Sequence, residues 1–199
     1  PDGKKIAVLG RPNAGKSTFI NKFIKQDRLI VSEIAGTTID AISIPFTVND
    51  DDFIFIDTAG IRKGYRYAHK VEYFSYVRAM HSVEECDVVI FICDATEGLV
   101  DQDLKIINMI CEMGKPVVIA FNKMDLLSKK EKDKLYESKR AQSSFVDDFI
   151  KIEISGINGT GFKRLFRITN NVIDIAQKKY TTAALNKLLS KFVLQSAPP

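Results

Sequence analysis

The chain has 199 residues, of which 45% are hydrophobic and 27% charged, and its formal net charge is +4. This length fits one ordinary globular domain with a proper core, and the absence of any run of 18 apolar residues excludes a hydrophobic membrane span within the chain. No signal-peptide pattern opens the chain, and three cysteines without a C-x-x-C pair favour buried free thiols in a reducing cytosol over a disulfide framework or a zinc site.

The first predicted elements surround a glycine-rich loop. Residues Lys5–Leu9 form an apolar run that predicts a buried strand, and the spacing of apolar residues further on predicts a helix over Gly15–Ile24. Between them, Gly10-Arg-Pro-Asn-Ala-Gly-Lys16-Ser17 has the G-x-x-x-x-G-K-S pattern of a phosphate-binding loop. In such a loop the backbone N–H groups and the helix dipole favour an anion, so the sequence predicts a nucleotide-phosphate site.

Within this loop, Lys16 is expected to reach the β- and γ-phosphates, and the Ser17 hydroxyl is expected to bind Mg²⁺. Other nucleotide contacts are expected from Gly10, Asn13, Ala14, Gly15 and Thr18. The pattern arises by chance in roughly one chain of this length per hundred, and the correct flanking elements lower that figure.

Two later segments supply further phosphate and Mg²⁺ contacts. Gly36-Thr-Thr38 lies between the first loop and Asp57, where a mobile loop would bring the Thr38 hydroxyl to Mg²⁺. Asp57-Thr-Ala-Gly60 follows a hydrophobic strand, so Asp57 is expected to hold Mg²⁺ through water and the Gly60 N–H to bond the γ-phosphate. A D-x-x-G tetrad alone is common in turns, but its distance from Ser17 strengthens this interpretation.

The remaining elements alternate between strand and helix. The predicted strands are Ser43–Val48, Phe53–Asp57, Val88–Asp94, Val117–Asn122 and Ile150–Ile154, and the predicted helices are His69–Glu85, Gln102–Met113, Lys130–Ser143, Phe162–Lys178 and Thr182–Val193. The first two strands are expected to form a hairpin closed by residues 49–52, which adds an antiparallel edge. The alternation predicts an α/β fold with a mainly parallel sheet of about six strands and helices on both faces.

Asn122-Lys-Met-Asp125 directly follows a predicted buried strand and indicates a guanine site. The Asp125 carboxylate can accept hydrogen bonds from N1–H and N2–H of guanine, a donor pair that adenine lacks. If this carboxylate is buried, ATP leaves it unpaired, which supports discrimination on the order of 10⁴-fold. The Lys123 stem can cover the base plane, and the alternative for the motif is a polar helix N-cap.

Taken together, GRPNAGKS, IAGTT-x-D, DTAGIR, NKMD and Ser155 resemble the TrmE–Era–EngA group of translation-factor-related GTPases over nearly the whole chain. Residues 71–80 and 181–189 also resemble the second GTPase domain of the Der (EngA) family. The resemblance implies an α/β fold of the P-loop NTPase, Ras-like type, with a G domain over residues 1–180, and a helix with the start of a linker over 181–199. It also implies an N-terminal GTPase domain and a C-terminal KH-like domain that adjoin the chain in a longer protein.

The resemblance further implies how the base and a monovalent cation are held. Guanine O6 would be bound by backbone N–H groups of the loop that contains Ser155, Gly156 and Ile157. A K⁺ ion would be cradled against the phosphates by the Asn13 side chain and by backbone oxygens at Ser32, Ile34 and Thr37. The alternative for Asn13 is a turn residue after Arg11-Pro12.

Three positions depart from the usual pattern of such GTPases. The family's G-T-T-R-D becomes Gly36-Thr-Thr-Ile-Asp40, and Gly156 replaces the alanine of its guanine loop. Ile61 stands where many GTPases place a glutamine that orients the attacking water, so intrinsic hydrolysis is expected to be slow without other help. A K⁺ ion at Asn13 would supply this help by neutralising charge on the phosphates. Lys16, Thr38 and Gly60 would complete the catalytic set.

The function that follows from the resemblance is a GTP-hydrolysing switch that takes GTP, GDP and Mg²⁺, and acts with rRNA in assembly of the large ribosomal subunit in the bacterial cytoplasm. Two alternatives stay open: a tRNA-modification GTPase of the TrmE type, and a nucleotide-responsive docking module with negligible hydrolysis of its own. No heptad seam argues for a dimer, so the chain is expected to be monomeric.

Two basic clusters are either solvated faces or surfaces that dock on RNA phosphates. They comprise Arg62, Lys63, Arg66 and Lys70 in one segment, and Lys163, Arg164, Arg167, Lys178, Lys179, Lys187 and Lys191 in the other.

Overall fold

The computed structural model describes residues 3–26, 43–58, 79–141, 148–179 and 181–195. Its strands are β1 (Lys4–Leu9), β2 (Ile44–Val48), β3 (Asp51–Phe55), β4 (Val88–Asp94), β5 (Val117–Asn122) and β6 (Ile150–Glu153). Its helices are α1 (Lys16–Gln26), α2 (Asp101–Glu112), α3 (Lys129–Ala141), α4 (Phe162–Ala176) and α5 (Thr182–Gln195). Residues 79–85 are also helical, and Met124–Leu126 form a short 3₁₀ helix.

The strands form one six-stranded sheet in the order β2-β3-β1-β4-β5-β6. All neighbouring pairs are parallel except β2 with β3, which is antiparallel and lies at the edge. The predicted α/β fold, its strand number and its antiparallel edge are therefore confirmed. Because β1, β4 and β5 are adjacent and parallel, the segments that follow their carboxyl ends meet at one edge of the sheet.

The turn of the hairpin is tighter than the sequence predicted. Only Asn49 and Asp50 connect the strands, since Asp51 pairs with Val48 and Asp52 with Thr47. Both connecting residues have positive φ, 50° and 66°, as a type I′ turn requires, and Asn and Asp tolerate this conformation better than other side chains. The twist of a type I′ turn matches that of the flanking strands, which allows β3 to begin at Asp51 rather than at Phe53.

Two hydrophobic cores lie on opposite faces of the sheet. Alternate residues of β4 enter each core, so that Val88, Ile90 and Ile92 face one side and Val89, Phe91 and Cys93 face the other. This explains the uninterrupted apolar run of β4, which is buried along its whole length. Helices α1 and α4 cover the first core, which is rich in phenylalanine, while α2, α3 and residues 79–85 contribute to the second.

Two predicted helices, His69–Glu85 and Thr182–Val193, are found in the structure over different extents. The predicted helix His69–Glu85 is described only from residue 79, and the segments 27–42 and 59–78 lie outside the described residues. Helix α5 exists as predicted, with Leu185 and Leu189 of the apolar stripe 48% and 59% exposed. Among the helices that the structure describes, none is long and apolar enough to cross a membrane.

Candidate nucleotide-binding site

The loop between β1 and α1 has a backbone that only glycine allows at two positions. Gly10 and Gly15 have φ values of 145° and 96°, which side-chain-bearing residues rarely adopt. A Cβ atom on Gly10 would lie 2.2 Å from the Ile92 carbonyl oxygen, and one on Gly15 would lie 2.2 Å from Nδ2 of Asn122. The two glycines therefore let this loop pack directly against the ends of β4 and β5.

Lys16 lies at the end of this loop, where α1 begins. Its Nζ donates hydrogen bonds to the carbonyl oxygens of Gly10 and Arg11, both at 2.7 Å, so the amine lies over the loop. Burial lowers the pKa of Lys16 to about 8. An ammonium group that burial disfavours, held at a helix N-terminus, would be stabilised by phosphate, and this fits the predicted role.

The side chain of Asn122, at the end of β5, connects two parts of the site. Its Nδ2 donates to the carbonyl oxygen of Ala14 at 2.9 Å, and its Oδ1 accepts from the backbone N–H of Gly156 at 2.7 Å. The residue is 2% exposed. Asn122 therefore ties the phosphate loop to the loop after β6, and both ends of its amide are occupied by the protein.

The residues predicted to contact the base, Lys123 and Asp125, lie just beyond Asn122. Lys123 has a left-handed backbone with φ of 65°, and its Nζ donates to Oδ2 of Asp94 at 2.5 Å. Asp125 lies in the 3₁₀ helix and is exposed, so its carboxylate would be buried only beneath a bound base.

The loop after β6 closes on itself at the same edge. Ser155 and Gly156 are buried, whereas Ile157 is 62% exposed. Oγ of Ser155 accepts from the N–H of Asn158 at 3.1 Å, and the backbone carbonyl oxygen of Ser155 accepts from the N–H of Gly159 at 2.7 Å. Ser155 therefore shapes this loop.

Gly156, which replaces an alanine of the family pattern, packs tightly. A Cβ atom there would lie 3.1 Å from Oδ1 and 3.3 Å from Nδ2 of Asn122, closer than most real contacts. An alanine at this position would therefore require the Asn122 amide to shift by a few tenths of an ångström.

The described Mg²⁺ candidates are Ser17 at the start of α1 and Asp57 beyond β3. Ser17 is half-buried, and Asp57 has a φ of 49° with its Oδ2 accepting from Oγ of Ser82 at 3.1 Å. A hydroxyl and a carboxylate are oxygen donors of the kind that Mg²⁺ takes alongside waters and phosphates, so the donor set fits the ion. The other two candidates, Thr38 and Gly60, lie outside the described residues.

The K⁺ candidates are only partly described. Asn13 is exposed and has a φ of 65°, which agrees equally with a cation ligand and with a turn residue. Ser32, Ile34 and Thr37 lie outside the described residues. Thr18, on the first turn of α1, is exposed.

Sequence reasoning missed a group of acids that supports the loop. Nε of Arg11 donates to Oδ1 of Asp103 at 2.9 Å, and Nη2 donates to Oε2 of Glu97 at 2.7 Å. The hydrogen bond that Arg11 donates to Glu97 raises the pKa of Arg11 despite partial burial, and Asp103 adds to this effect. Asp103 also accepts from the N–H of Val100 at 3.2 Å, so it caps α2 while it anchors Arg11.

Asp94, the last residue of β4, was also missed. The signal was present, because an acid that directly ends a buried parallel strand must lie at the edge where the other strands end. A cavity of about 80 Å³ lies at this edge, lined by Arg11, Pro12, Asn13, Ala14, Asp94, Glu97 and Lys123. Residues of the phosphate loop and Lys123, the lysine predicted to cover the base, therefore line the same cavity.

Comparison with known proteins agrees with this geometry. The sequence profile of the 50S ribosome-binding GTPase family matches residues 5–123. GTPase Der of Coxiella burnetii (strain Dugway 5J108-111) is 41% identical over 197 residues, which is 99% of this chain but 44% of that protein. The chain thus spans less than half the length of this curated relative.

Solved structures with the same fold include Era in complex with MgGDPNP and nucleotides 1506–1542 of 16S ribosomal RNA. Its TM-score is 0.61 at 27% identity, over 89% of this chain and 58% of that one. The elongation factor SelB from Methanococcus maripaludis, in complex with the GTP analogue GppNHp, has a TM-score of 0.62 at 18% identity, over 92% of this chain and 36% of that one. The SelB likeness supports the fold alone.

Proposed function

The chain belongs to the 50S ribosome-binding GTPase family, and on that premise we propose that it binds GTP and GDP with Mg²⁺ and hydrolyses GTP to GDP and phosphate. The observation that carries the proposal is the double contact of Asn122 with Ala14 and Gly156. Through this side chain a phosphate loop and a base loop, distant in sequence, form one site at the edge of the sheet.

Each residue of the site has a defined part in this proposal. Lys16 and the N–H groups of the phosphate loop bind the phosphates, while Ser17 and Asp57, with Thr38, hold Mg²⁺. When bound, Mg²⁺ neutralises charge on the phosphate oxygens. Gly60 contacts the γ-phosphate, and Asn13, together with Ser32, Ile34 and Thr37, holds K⁺.

Guanine selectivity is assigned to Asp125, with Lys123 over the base plane and backbone N–H groups of residues 155–157 at O6. The exposed Asp125 carboxylate is available to accept from N1–H and N2–H of the base. The test is Asp125→Asn, because an amide can donate to the oxygen at C2 of xanthine while it loses one acceptor for guanine. We expect GDP binding to weaken by about 10²-fold or more and xanthosine diphosphate binding to strengthen.

The matched control is Asp133→Asn, which removes the same charge from an exposed position on α3. We expect its affinities for both nucleotides to equal those of the unmodified protein. If Asp125→Asn instead bound GDP as tightly as the unmodified protein, Asp125 would not be the base-reading residue.

For the whole protein, we propose a role in assembly of the large ribosomal subunit in the bacterial cytoplasm, with rRNA as a partner. The support is the family assignment and the likeness to GTPase Der. In this proposal residues 1–180 are the second G domain, and residues 181–199 lead into a KH-like domain. The exposed Leu185 and Leu189 would pack against such a neighbour.

The test of this role is co-sedimentation of the whole protein with purified large subunits, in GDP and in a non-hydrolysable GTP analogue. We expect nucleotide-dependent binding to the large subunit, with purified small subunits as the control. Equal binding to both subunits, or binding to neither, would contradict the assignment.

A further inference from the structure

Asp94 and Lys123 form an ion pair at the edge of the sheet. Oδ2 of Asp94 accepts from Nζ of Lys123 at 2.5 Å, and their side chains are 10% and 30% exposed. The two residues extend from adjacent parallel strands, since Asp94 stands in register with Asn122. Both residues of the pair line the cavity of about 80 Å³ at this edge, which residues of the phosphate loop also line.

The Asp94 carboxylate is itself held in place. Its other oxygen accepts from the backbone N–H of Thr96 at 2.9 Å and from Oγ1 of Thr96 at 2.7 Å. Burial, the largest influence, raises the pKa of Asp94, but the hydrogen bonds from Lys123 and Thr96 together bring it below its ordinary value. The carboxylate thus stays charged while almost completely buried.

The backbone around the pair is equally restrained. The N–H of Ala95 donates to the carbonyl oxygen of Asn122 at 2.9 Å, and the N–H of Gly98 donates to that of Asp94 at 3.0 Å. Lys123 adopts φ of 65°, a conformation that a non-glycine residue keeps only where its surroundings impose it. A long lysine side chain on this backbone would otherwise sample many rotamers.

We propose that Asp94 is a positioning residue for guanine-nucleotide binding, which fixes the Lys123 side chain beside the site before the nucleotide arrives. This inference rests on the proposed function, in which Lys123 covers the base. The conformational entropy of the lysine is already lost in the free protein, so binding does not have to order it. Part of the affinity for the nucleotide then depends on the Asp94 carboxylate, which acts only by holding Lys123.

The test is a double-mutant cycle on the dissociation constant for GDP, measured by titration calorimetry on the whole protein. Asp94→Asn keeps the shape and the bonds from Thr96 but removes the charge that holds Lys123, whereas Lys123→Met keeps an apolar stem and removes the amine. We expect Asp94→Asn to weaken GDP binding about tenfold in the unmodified background and to have no effect in the Lys123→Met background. Asp101→Asn, an exposed acid on the first turn of α2, is the matched control and should bind as the unmodified protein does.

An equal loss in both backgrounds would overturn the inference, because Asp94 would then act on the fold and not through the lysine. Unchanged affinity in Asp94→Asn would overturn it as well. If Asp94→Asn does not fold, Thr96→Val removes the hydroxyl bond alone, and the same dependence on Lys123 is expected with a smaller factor. Failure of the unmodified protein to bind GDP would instead contradict the proposed function itself.

Discussion

Asn122 reaches across 108 positions of sequence to donate a hydrogen bond to the carbonyl oxygen of Ala14 at 2.9 Å. The same amide accepts from the N–H of Gly156, so a single buried side chain holds the two loops that we propose to bind the phosphates and the base. The first loop follows β1 and the second follows β6, two strands that β4 and β5 separate in the sheet. A displacement of either loop would break a buried hydrogen bond. We therefore expect the phosphate and base subsites to be rigid relative to each other.

Asn122→Asp tests this coupling. The substitution places a carboxylate oxygen against the Ala14 carbonyl in a residue that is 2% exposed, where the amide had donated a hydrogen bond. Because one buried acceptor then faces another, the free energy of unfolding should fall by about 1–3 kcal/mol, and GDP should bind more weakly. Urea unfolding and nucleotide titration measure the two effects.

The control for this change is Asn171→Asp, the same substitution at an exposed position of α4. Its free energy of unfolding should lie within about 0.5 kcal/mol of the unmodified protein. Similar losses in the two variants would mean that the Ala14 contact contributes nothing particular to stability.

A second prediction compares the two carboxylates that bind Arg11. Asp103 is 1% exposed and also caps α2, whereas the Glu97 side chain is 54% exposed. Asp103→Asn should therefore lower the free energy of unfolding by about 1.5–3 kcal/mol, since a buried charged hydrogen bond is lost. Glu97→Gln should cost about 0–1 kcal/mol, because solvent screens an exposed pair. Denaturant unfolding of both variants measures these two changes. An equal fall in the free energy of unfolding would show that Asp103 stabilises the protein no more than Glu97 does.

A third prediction concerns protons taken up with the nucleotide. Burial lowers the pKa of Lys16 to about 8, and bound phosphates should raise it again by favouring the ammonium form. Affinity should therefore be flat below pH 8 and should fall as the pH rises further, since binding must then add a proton. Calorimetry at pH 8 in buffers of different ionisation enthalpy should show uptake of about half a proton per GDP.

The same titration at pH 7 is the control for Lys16. Its amine is then already mostly protonated in the free protein, so uptake should drop to about a tenth of a proton. No uptake at either pH would mean that Lys16 does not titrate in this range.

A fourth prediction concerns the cation. If Asn13 holds K⁺ against the phosphates, single-turnover GTP hydrolysis should be at least about tenfold faster in KCl than in NaCl at equal ionic strength. Asn13→Gly should remove this difference, since glycine adopts the observed φ of 65° without strain but has no side-chain oxygen. Equal, slow rates in both salts for the unmodified protein would reject the K⁺ site.

Much of the fold could be predicted from local pattern. The strands Val88–Asp94 and Val117–Asn122 were predicted with the bounds that the structure shows, because strands buried on both faces leave uninterrupted apolar runs. The sequence predicts the hairpin turn at the correct place, but it predicts four connecting residues where the structure has two. Composition marks Asn49–Asp52 as turn residues, whereas the φ values at Asn49 and Asp50 decide where pairing resumes.

The sequence by itself determined the family, the order of the elements and the phosphate loop, because these depend on residues that are close together in the chain. A glycine loop between a strand and a helix creates its anion site locally, whatever the rest of the fold contributes. Only the tertiary structure decided that Asn122 ties two loops together, that Asp125 is open to solvent, and that Asp94 holds Lys123. The two contacts join residues that lie far apart in the chain and meet only when the strands of the sheet pair. The pattern of nearby residues does not show which side chains then come within hydrogen-bonding distance, or which stay exposed.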